Sequence, residues 1–360
     1  MRALTPKQRV LKAMAFEETD IVPYDIRIDE ALVPHLAAYY GDPAFADRIV
    51  NHLPFWPIEA ARRWEAADRY ADAFGCVWRV GNIPHIEEHP LKEPSLRGYE
   101  FPDLADESYF TGVEAFFARH EDRFTLCGDA HGFFDRGWAL RGMEEFLTDL
   151  ILHPRFVEEL LETLTELHLR LVDRIAEYPF DGFRFGDDWG SQRGVIIGAE
   201  RWRRFIKPGL KRIFARAREK GLVVMVHSDG DVSELIPDLI DIGVQILNPL
   251  QPEAMNILEV KRRYGRDLCL NGGVSTQLTL PLGTPEQVQR EVAACLRYLG
   301  RDGGYVISPA KPLLPDVPVP NAVALIEAIV GQQPHSRPAT PAPLPDRAPE
   351  LERVYAAFHP

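Results

Sequence analysis

The sequence predicts an α/β protein built as a single (β/α)8 barrel of the TIM type. From residue 124 onward, short apolar runs alternate with amphipathic helical stretches, at spacings that suit right-handed crossovers between parallel strands. Along the whole chain these runs number about eight, as such a barrel requires. An open doubly wound sheet would normally carry a glycine-rich phosphate loop after its first strand, and the sequence has no such loop there.

The N-terminal third contains one clear helix and two expected strands. Thr5 can cap a helix that begins at Pro6, because a hydroxyl suits the cap position and proline suits the first helical position. The run IVPYDI (21–26) predicts a strand, and FGCVWRV (74–80) supplies a second one. The rest of residues 50–110 shows no clear periodicity.

The remaining two-thirds of the chain is more regular. One long helical stretch is interrupted once, at Pro154. Each expected strand is an apolar run that ends in small or polar residues. These runs are FTLCGD (124–129), GFRFGDDWG (182–190), LVVMVHSDG (222–230), VQILNPLQ (244–251), LCLNGGV (268–274) and GYVISPAK (304–311).

The end of the chain differs from the barrel in composition. Residues 1–332 are expected to form the barrel, and residues 333–360 a proline-rich arm with a short helix. The segment PHSRPATPAPLPDRAPE (334–350) lacks apolar periodicity and predicts an extended arm. LERVYAAF after it is either a frayed tail or a short helix that docks on the barrel or on a second subunit.

Composition and charge exclude several classes of function. The chain has 41 basic and 54 acidic residues, and its net charge of −13 argues against nucleic-acid binding, which needs a clustered positive surface. An anionic substrate would therefore have to be held by a few local arginines. The four scattered cysteines predict reduced, buried thiols. Without a recognisable leader or a membrane-length apolar run, a cytoplasmic protein that does not enter membranes is expected.

Polar side chains follow most of the expected strands at the point where each strand ends. In a (β/α)8 barrel these ends converge on one mouth, where catalytic residues lie. Desolvated polar groups need partners, so a ligand-binding mouth explains their number better than a capped core does. The candidate catalytic residues are Asp187, Asp188, His227, Asp229 and Lys311. The candidate substrate-binding residues are Arg27, His131, Gln192, Arg193, Asn248, Gln251 and Asn271.

A structural role is the alternative for each of these residues. Asp187 and Asp188 are adjacent, so at most one of them is expected to face the mouth, and either could cap the next helix. His227 and Asp229 lie two residues apart on one strand face, which predicts an acid–base pair or two metal ligands. Lys311 is costly to bury alone, so it is expected to pair with one of the aspartates.

The order of these motifs resembles the uroporphyrinogen decarboxylase superfamily. The resemblance is carried by DDWGSQRG (187–194), by the segment from HSDGDVSELIPDL to PEQVQREV (227–292), and by GGYVISPAKPLLPDVPVPNAVALIEAI (303–329). It is strongest over residues 124–330. The resemblance implies a (β/α)8 barrel, often paired as a homodimer. It also implies one of two chemistries: cofactor-free decarboxylation of uroporphyrinogen III, or zinc-dependent methyl transfer to or from corrinoid proteins.

The decarboxylase branch is only partly matched. Members of that branch carry an N-terminal segment of the type MRQAGRYLPE, whose arginines meet a substrate with eight carboxylates. The corresponding stretch here is YDIRIDEALVPHL, in which Arg27 matches one arginine and the second has no counterpart. A polyanionic tetrapyrrole needs several charge-assisted contacts, which disfavours this substrate. Arg136, Arg141 and Arg193 remain as arginines that could reach the mouth from other loops.

The methyltransferase branch is also matched with departures. Its members bind zinc through a His-x-Cys on strand five and a Cys on strand eight. Here His227 matches the histidine, Asp229 replaces the first cysteine, and Lys311 stands near the second. A thiolate-rich zinc site is therefore absent. A harder site made by His227 with Asp229, and with Asp187 or Asp188, stays open.

Three hypotheses about function follow. The first is methyl transfer between a small substrate and a separate corrinoid protein, because nothing in the sequence resembles a cobalamin-binding module. The second is decarboxylation of uroporphyrinogen or another polycarboxylate. The third is a small-molecule-binding barrel that has lost catalysis.

Overall fold

The computed structural model describes residues 3–59, 62–81, 84–129, 132–333, 344 and 347–359. Its strands are β1 (Phe55–Pro57), β2 (Arg63–Ala66), β3 (Arg69–Ala71), β4 (Val77–Arg79), β5 (His85–Glu88), β6 (Leu126–Asp129), β7 (Gly182–Gly186), β8 (Gly190–Ser191), β9 (Gly194–Val195), β10 (Val223–His227), β11 (Ile246–Leu250), β12 (Cys269–Val274) and β13 (Tyr305–Pro309). Its α-helices are α1 (Pro6–Met14), α2 (Val33–Tyr40), α3 (Val113–Arg119), α4 (Phe133–Arg141), α5 (Met143–Leu152), α6 (Pro154–Ile175), α7 (Ala199–Arg201), α8 (Lys207–Glu219), α9 (Ile236–Asp241), α10 (Ile257–Tyr264), α11 (Thr279–Leu282), α12 (Pro285–Ala294), α13 (Val319–Val330) and α14 (Pro349–Phe358).

Seven parallel strands curl into the barrel, in the order β1-β6-β7-β10-β11-β12-β13. The predicted first strand forms the eighth position. Tyr24 bridges Ile307 of β13 in parallel, and its carbonyl accepts a hydrogen bond from the backbone of His52, just before β1. The segment therefore lies between the two outer strands of the sheet. The predicted (β/α)8 barrel is confirmed, with one edge closed by isolated bridges.

The prediction of a barrel strand at residues 74–80 is wrong. β4 belongs to a separate antiparallel sheet, β2-β3-β4-β5, inserted after β1. The Asp72 carboxylate accepts hydrogen bonds from the backbones of Phe74 and Cys76, which stabilises a tight reversal into β4. The true second strand, β1, was missed because it has only three residues and ends in Pro57.

The barrel interior has an apolar lower layer. In β10, Val224 and Val226 face the surrounding helices, whereas Met225 faces the barrel axis beside Ile246 of β11. Val10 of α1 packs against this inner cluster and covers the N-terminal end of the barrel. Chemistry is therefore confined to the opposite end, where the strands finish.

The helices follow the sequence patterns closely. Thr5 caps α1 with a reciprocal capping box, and the predicted break at Pro154 separates α5 from α6. All four cysteines are free and buried, as expected. In the parts of the chain that the structure describes, no helix combines the length and apolarity needed to span a bilayer.

The C-terminal helix docks on the barrel. α14 packs against α10 and α12 and buries Leu351 and Val354. The Arg353 guanidinium donates to the Thr279 hydroxyl, and the His359 ring contacts the Glu253 carbonyl. The predicted short helix is thus present, whereas most of the proline-rich stretch before it lies outside the described residues.

Glu291 of α12 lies near this docking surface. It is expected to make the stability of the protein depend on pH. Its buried carboxylate accepts from the Ser275 backbone and the Thr279 hydroxyl, and burial raises its pKa from 4.5 to about 7. The folded state thus keeps a proton that the unfolded state releases, so this stabilisation is complete below about pH 4.5 and is lost as pH rises through about 7.

Urea unfolding from pH 5 to pH 8 measures this effect. Relative to Glu291→Gln, the wild type should lose up to about 3 kcal/mol over this range. Glu327→Gln, which changes an exposed glutamate on α13, serves as the control and should follow the wild type. Equal pH slopes for Glu291→Gln and the wild type would contradict the assignment.

Candidate active site

Polar side chains occupy the upper layer of the barrel interior. In β10 the inward positions pass from Met225 to His227, and the neighbouring strands change in the same way. His227 pairs in register with Asn248 of β11, and Asn271 lies on β12 beside Val306 of β13. The sequence places polar residues at these inward positions and apolar ones below them, so the interior changes from packed core to site within two residues.

Two carboxylates and one imidazole converge at this mouth. One ligand atom from each of Asp188, His227 and Asp229 lies within 4.8 Å of the other two. The His227 Nε2 atom is 4.0 Å from Asp188 Oδ1 and 4.0 Å from Asp229 Oδ1, too far for a direct hydrogen bond. The three acceptor atoms therefore surround one point, with no hydrogen bonds between them.

Lys311 lies beside this cluster. Its Nζ atom is 2.9 Å from Asp229 Oδ2, which confirms the predicted pairing with an aspartate. Burial lowers the lysine pKa, but the Asp229 carboxylate outweighs this effect and the pKa is raised overall. Asp229 Oδ1 is buried and, within the described part of the chain, accepts no hydrogen bond. One oxygen of Asp229 thus faces a cation and the other remains open toward His227.

A chain of amides determines which nitrogen of His227 carries the proton. The Val306 carbonyl can only accept, so the atom that contacts it at 3.1 Å is the Asn271 amide nitrogen. Asn271 Oδ1 then accepts from Asn248 Nδ2, and Asn248 Oδ1 must accept from His227 Nδ1, each at 2.6 Å. In the neutral ring Nε2 is therefore unprotonated, and its lone pair is available on the side of the two aspartates.

Charge and burial keep this histidine neutral. Burial and the nearby Arg184 guanidinium lower the pKa of His227 to about 3. Arg184 is itself buried inside the barrel, and burial together with Arg27 lowers its pKa to about 10. Burial raises the pKa of Asp188 to about 6, and the carboxylates of Asp135 and Asp229 add to the shift. At neutral pH the site thus offers a neutral imidazole and an Asp188 carboxylate that is mostly ionised.

The two adjacent aspartates have separate positions, as predicted. Asp187 has no exposed surface and accepts hydrogen bonds from the backbones of Phe134 and Asp135, at the N-terminus of α4. Gly132 permits this approach, because a Cβ there would lie 2.7 Å from the Asp187 side chain. Asp187 therefore caps a helix, whereas Asp188 faces the mouth. The position of Asp187 fits the helix-capping alternative, and it lies away from the mouth, where a catalytic residue is expected.

Asn248, Gln251 and Asn271 are positioned differently from the substrate contacts predicted for them. Asn248 and Asn271 are buried in the amide chain, and the Gln251 side chain accepts from the Gly230 backbone and holds the loop after β10. The amides of Asn248 and Asn271 and the side-chain carbonyl of Gln251 are thus engaged within the protein, and substrate contact by these three residues stays a prediction. The buried upper layer therefore supports the mouth.

The other residues predicted to contact the substrate are Gln192, Arg193, Arg27 and His131. Gln192 and Arg193 are exposed on the β8–β9 hairpin, outside the cluster. Arg27 pairs with Asp25 at 3.3 Å at the edge of the mouth. His131 lies outside the described residues.

Two residues of the site were not predicted, Arg184 and Asp135. Arg184 is the single charge in the apolar run GFRFG, and its alternation with Phe183 and Phe185 would have placed it inside the barrel. Asp135 accepts from the Asp188 backbone at 3.1 Å. Its position beside Asp188 depends on how α4 packs and carries no sequence signal.

Asn271→Leu tests the amide chain. Without the Asn271 amide, Asn248 is free to turn, so the fraction of His227 that carries its proton on Nδ1 should fall. Ring-nitrogen NMR of His227 measures that fraction directly.

Asn321→Leu is the matched control for that variant. It removes another buried amide, one that donates to the carbonyls of Leu280 and Gly283 away from the mouth. It should leave the His227 ring unchanged. An unchanged ring in Asn271→Leu as well would contradict the proposed role of the amide chain.

Comparison with known proteins places the chain among related barrels. The model of the uroporphyrinogen decarboxylase (URO-D) family matches residues 69–331. A methylated-thiol–coenzyme M methyltransferase from Methanosarcina mazei is 20% identical over 81% of each chain. A uroporphyrinogen decarboxylase from Chlorobium luteolum is 24% identical, and the match spans about half (49%) of each chain. The solved structure of a methyltransferase from Methanosarcina mazei superposes with a TM-score of 0.69 at 21% identity, over 90% of this chain and 98% of that one.

Proposed function

Because this chain belongs to the uroporphyrinogen decarboxylase family, we propose that it transfers a methyl group between a small substrate and a separate corrinoid protein. The observation that carries the proposal is the cluster of Asp188, His227 and Asp229, whose ligand atoms lie within 4.8 Å of one another. Supporting it, the similarity to a methyltransferase extends over 81% of the chain, whereas the similarity to uroporphyrinogen decarboxylases extends over 49% for the Chlorobium protein and 61% for one from Anaeromyxobacter.

The three residues fit a divalent metal ion with nitrogen and oxygen ligands. His227 Nε2 offers a lone pair, and Asp229 Oδ1 is buried without a hydrogen-bond donor among the described residues. Zinc accepts imidazole and carboxylate ligands, and catalytic sites combine three protein ligands with one open position. We therefore assign His227, Asp188 and Asp229 as the zinc ligands. A zinc ion held there would bind a thiol or similar acceptor and lower its pKa, which makes it a better nucleophile.

The other charges of the mouth prepare this site. Lys311 pairs with Oδ2 of the Asp229 carboxylate at 2.9 Å and leaves Oδ1 of that carboxylate open toward His227. Arg184, at the base of the mouth, disfavours protonation of His227. Arg27, partly exposed at its edge, is placed to hold an anionic group of the substrate.

The experiment combines metal analysis with a transfer assay. Protein purified without chelators should carry about one zinc per chain, and should consume the methyl group of methylcobalamin in the presence of a thiol panel, seen as a change in the cobalamin spectrum. Chelation should abolish transfer, and added zinc should restore it. A metal-free protein that leaves every cobalamin form unchanged would contradict the proposal.

Decarboxylation of a polycarboxylate is the second candidate. The observation that favours it is a buried carboxylate between two arginines: burial raises the pKa of Asp25, and the charges of Arg27 and Arg184 oppose the shift. In that chemistry a buried aspartate would stabilise a protonated pyrrole-like intermediate, and arginines would hold the carboxylates. Formation of coproporphyrinogen from uroporphyrinogen, without added metal, would favour this candidate over methyl transfer.

The expected partners and location stay predictions. Three expectations derive from the resemblance and from the composition. They are a corrinoid protein as partner, the pairing of two copies of this chain as a homodimer, and a cytoplasmic location. A pull-down with a corrinoid protein and the mass of the purified protein in solution would test the first two.

A further inference from the structure

A cavity separate from the mouth lies between the inserted antiparallel sheet and the barrel. Its volume is about 240 Å³, and its lining includes Ile58 at the end of β1 and Arg136 of α4. Both follow strand ends, so the cavity opens on the same face of the barrel as the mouth. The residues that line it do not include Asp188, His227 or Asp229.

Aromatic side chains form one part of the wall of this cavity, and charged side chains form another. Tyr70 and Trp78, cross-strand neighbours on β3 and β4, line one side, and their rings are nearly parallel, with an interplanar angle of 10°. Phe74 and Leu104 extend the apolar surface. Flat, apolar walls of this kind suit a ring, and a cavity of about 150 Å³ is already enough for benzene. About 240 Å³ therefore has room for one ring with a substituent.

A buried arginine supplies the polar end. The Arg136 side chain is 5% exposed, and its guanidinium lies 3.7 Å from the centre of the Phe74 ring. Its Nη1 donates to Asp72 Oδ2 at 3.2 Å, and its Nε is buried without an acceptor in the described ranges. A guanidinium has five donor hydrogens, and leaving the one on Nε without an acceptor is costly in a buried group.

Asp72 cannot take up the remaining donors. Its Oδ1 already accepts from the backbones of Phe74 and Cys76, and its Oδ2 from the Trp78 indole as well as from Arg136. The carboxylate thus holds the turn and one edge of the guanidinium. The Cys76 thiol also interacts with this guanidinium, and the donors of Arg136 that remain are available to an acceptor from outside the chain.

We propose that this cavity binds a small molecule that joins one aromatic ring to a carboxylate. The ring would lie against Tyr70, Phe74 and Trp78, and the carboxylate would accept from the free donors of Arg136. Arg136 is the buried arginine of the lining, and the second arginine, Arg62, is exposed. A carboxylate with one negative charge is repelled less by the nearby Asp72 and Glu59 than a dianionic phosphate would be. The inference goes beyond the proposed function and requires neither zinc nor methyl transfer.

Two adjacent residues of α4 connect the cavity to the mouth. Asp135 bonds to the Asp188 backbone, and the next residue in α4, Arg136, lines the cavity. A ligand held here would therefore lie beside the proposed site while contacting none of its ligand residues.

Calorimetric titration of the full chain with benzoate tests the inference. Benzoate should bind, and benzamide, which lacks the charge, and acetate, which lacks the ring, should each bind at least tenfold more weakly. Arg136→Lys keeps a cation for Asp72 but loses the planar N–H donors of the guanidinium. It should weaken benzoate binding at least tenfold. Tyr70→Leu should also weaken it, whereas Tyr39→Leu, at an exposed tyrosine outside the cavity, should not.

Two further results separate this site from the mouth. His227→Ala should bind benzoate as the wild type does. Loss of benzoate binding in His227→Ala with retention in Arg136→Lys and Tyr70→Leu would overturn the proposal, as would the absence of benzoate binding to the wild type. Thermal unfolding of each variant confirms that a weakened titration comes from a folded protein.

Discussion

Replacing His227 with alanine is expected to lower zinc affinity by at least about a hundredfold and to abolish methyl transfer. Groups that merely orient a metal ligand change affinity 10- to 100-fold, so loss of the ligand itself should reach at least the top of that range. In the structure His227 is the one nitrogen ligand of the three-residue cluster. Zinc content after competition with a chelator of known affinity measures the change, and the cobalamin assay measures the activity.

His35→Ala is the matched control for that experiment. It removes an exposed histidine on α2, outside the cluster, and should leave zinc content unchanged. Zinc retained at full stoichiometry in His227→Ala would exclude the metal assignment. A fully active, metal-free His227→Ala would exclude the proposed function as well.

Asp187→Ala is expected to cause the largest loss of stability. The buried carboxylate accepts from the backbones of Phe134 and Asp135 and from the Trp189 indole. Alanine would leave these three buried donors unsatisfied, and each costs about 1–3 kcal/mol, so a loss of about 4 kcal/mol is expected. Urea unfolding followed by circular dichroism measures it.

Asn256→Ala separates this network from an ordinary helix cap. Asn256 caps α10 through the Glu259 backbone at the surface, and its loss should cost only about 1 kcal/mol. Asp187→Asn keeps one acceptor and should fall between the two alanine variants. If Asp187→Ala were no more destabilising than Asn256→Ala, the buried cap would have little importance for the fold.

The effect of Asp187→Ala should also reach the mouth. α4 begins at this cap, and its Asp135 side chain accepts from the Asp188 backbone. Weaker zinc binding in a variant that is still folded would show that the cap positions Asp188. That result would assign Asp187 a positioning role, whereas the sequence predicts a catalytic one.

The sequence by itself was sufficient for the alternation of strands and helices in the second two-thirds of the chain. β7, β10, β11, β12 and β13 are continuous apolar runs that end in polar residues, and burial on both faces requires that pattern of any central parallel strand. The same pattern located His227, Asp229 and Lys311 at strand ends, where the structure brings them together.

Tertiary structure alone decided where those residues lie and what they contact. Asp187 and Asp188 are chemically identical, and only the packing of α4 turns one into a cap and leaves the other at the mouth. Asn248 and Asn271 became supports of His227 because register sets them side by side. β1 and the antiparallel insert escaped prediction because strands of three or four residues carry too little periodicity to reveal which neighbour they pair with. A local pattern records whether a residue is buried, whereas its role depends on partners far away in the chain.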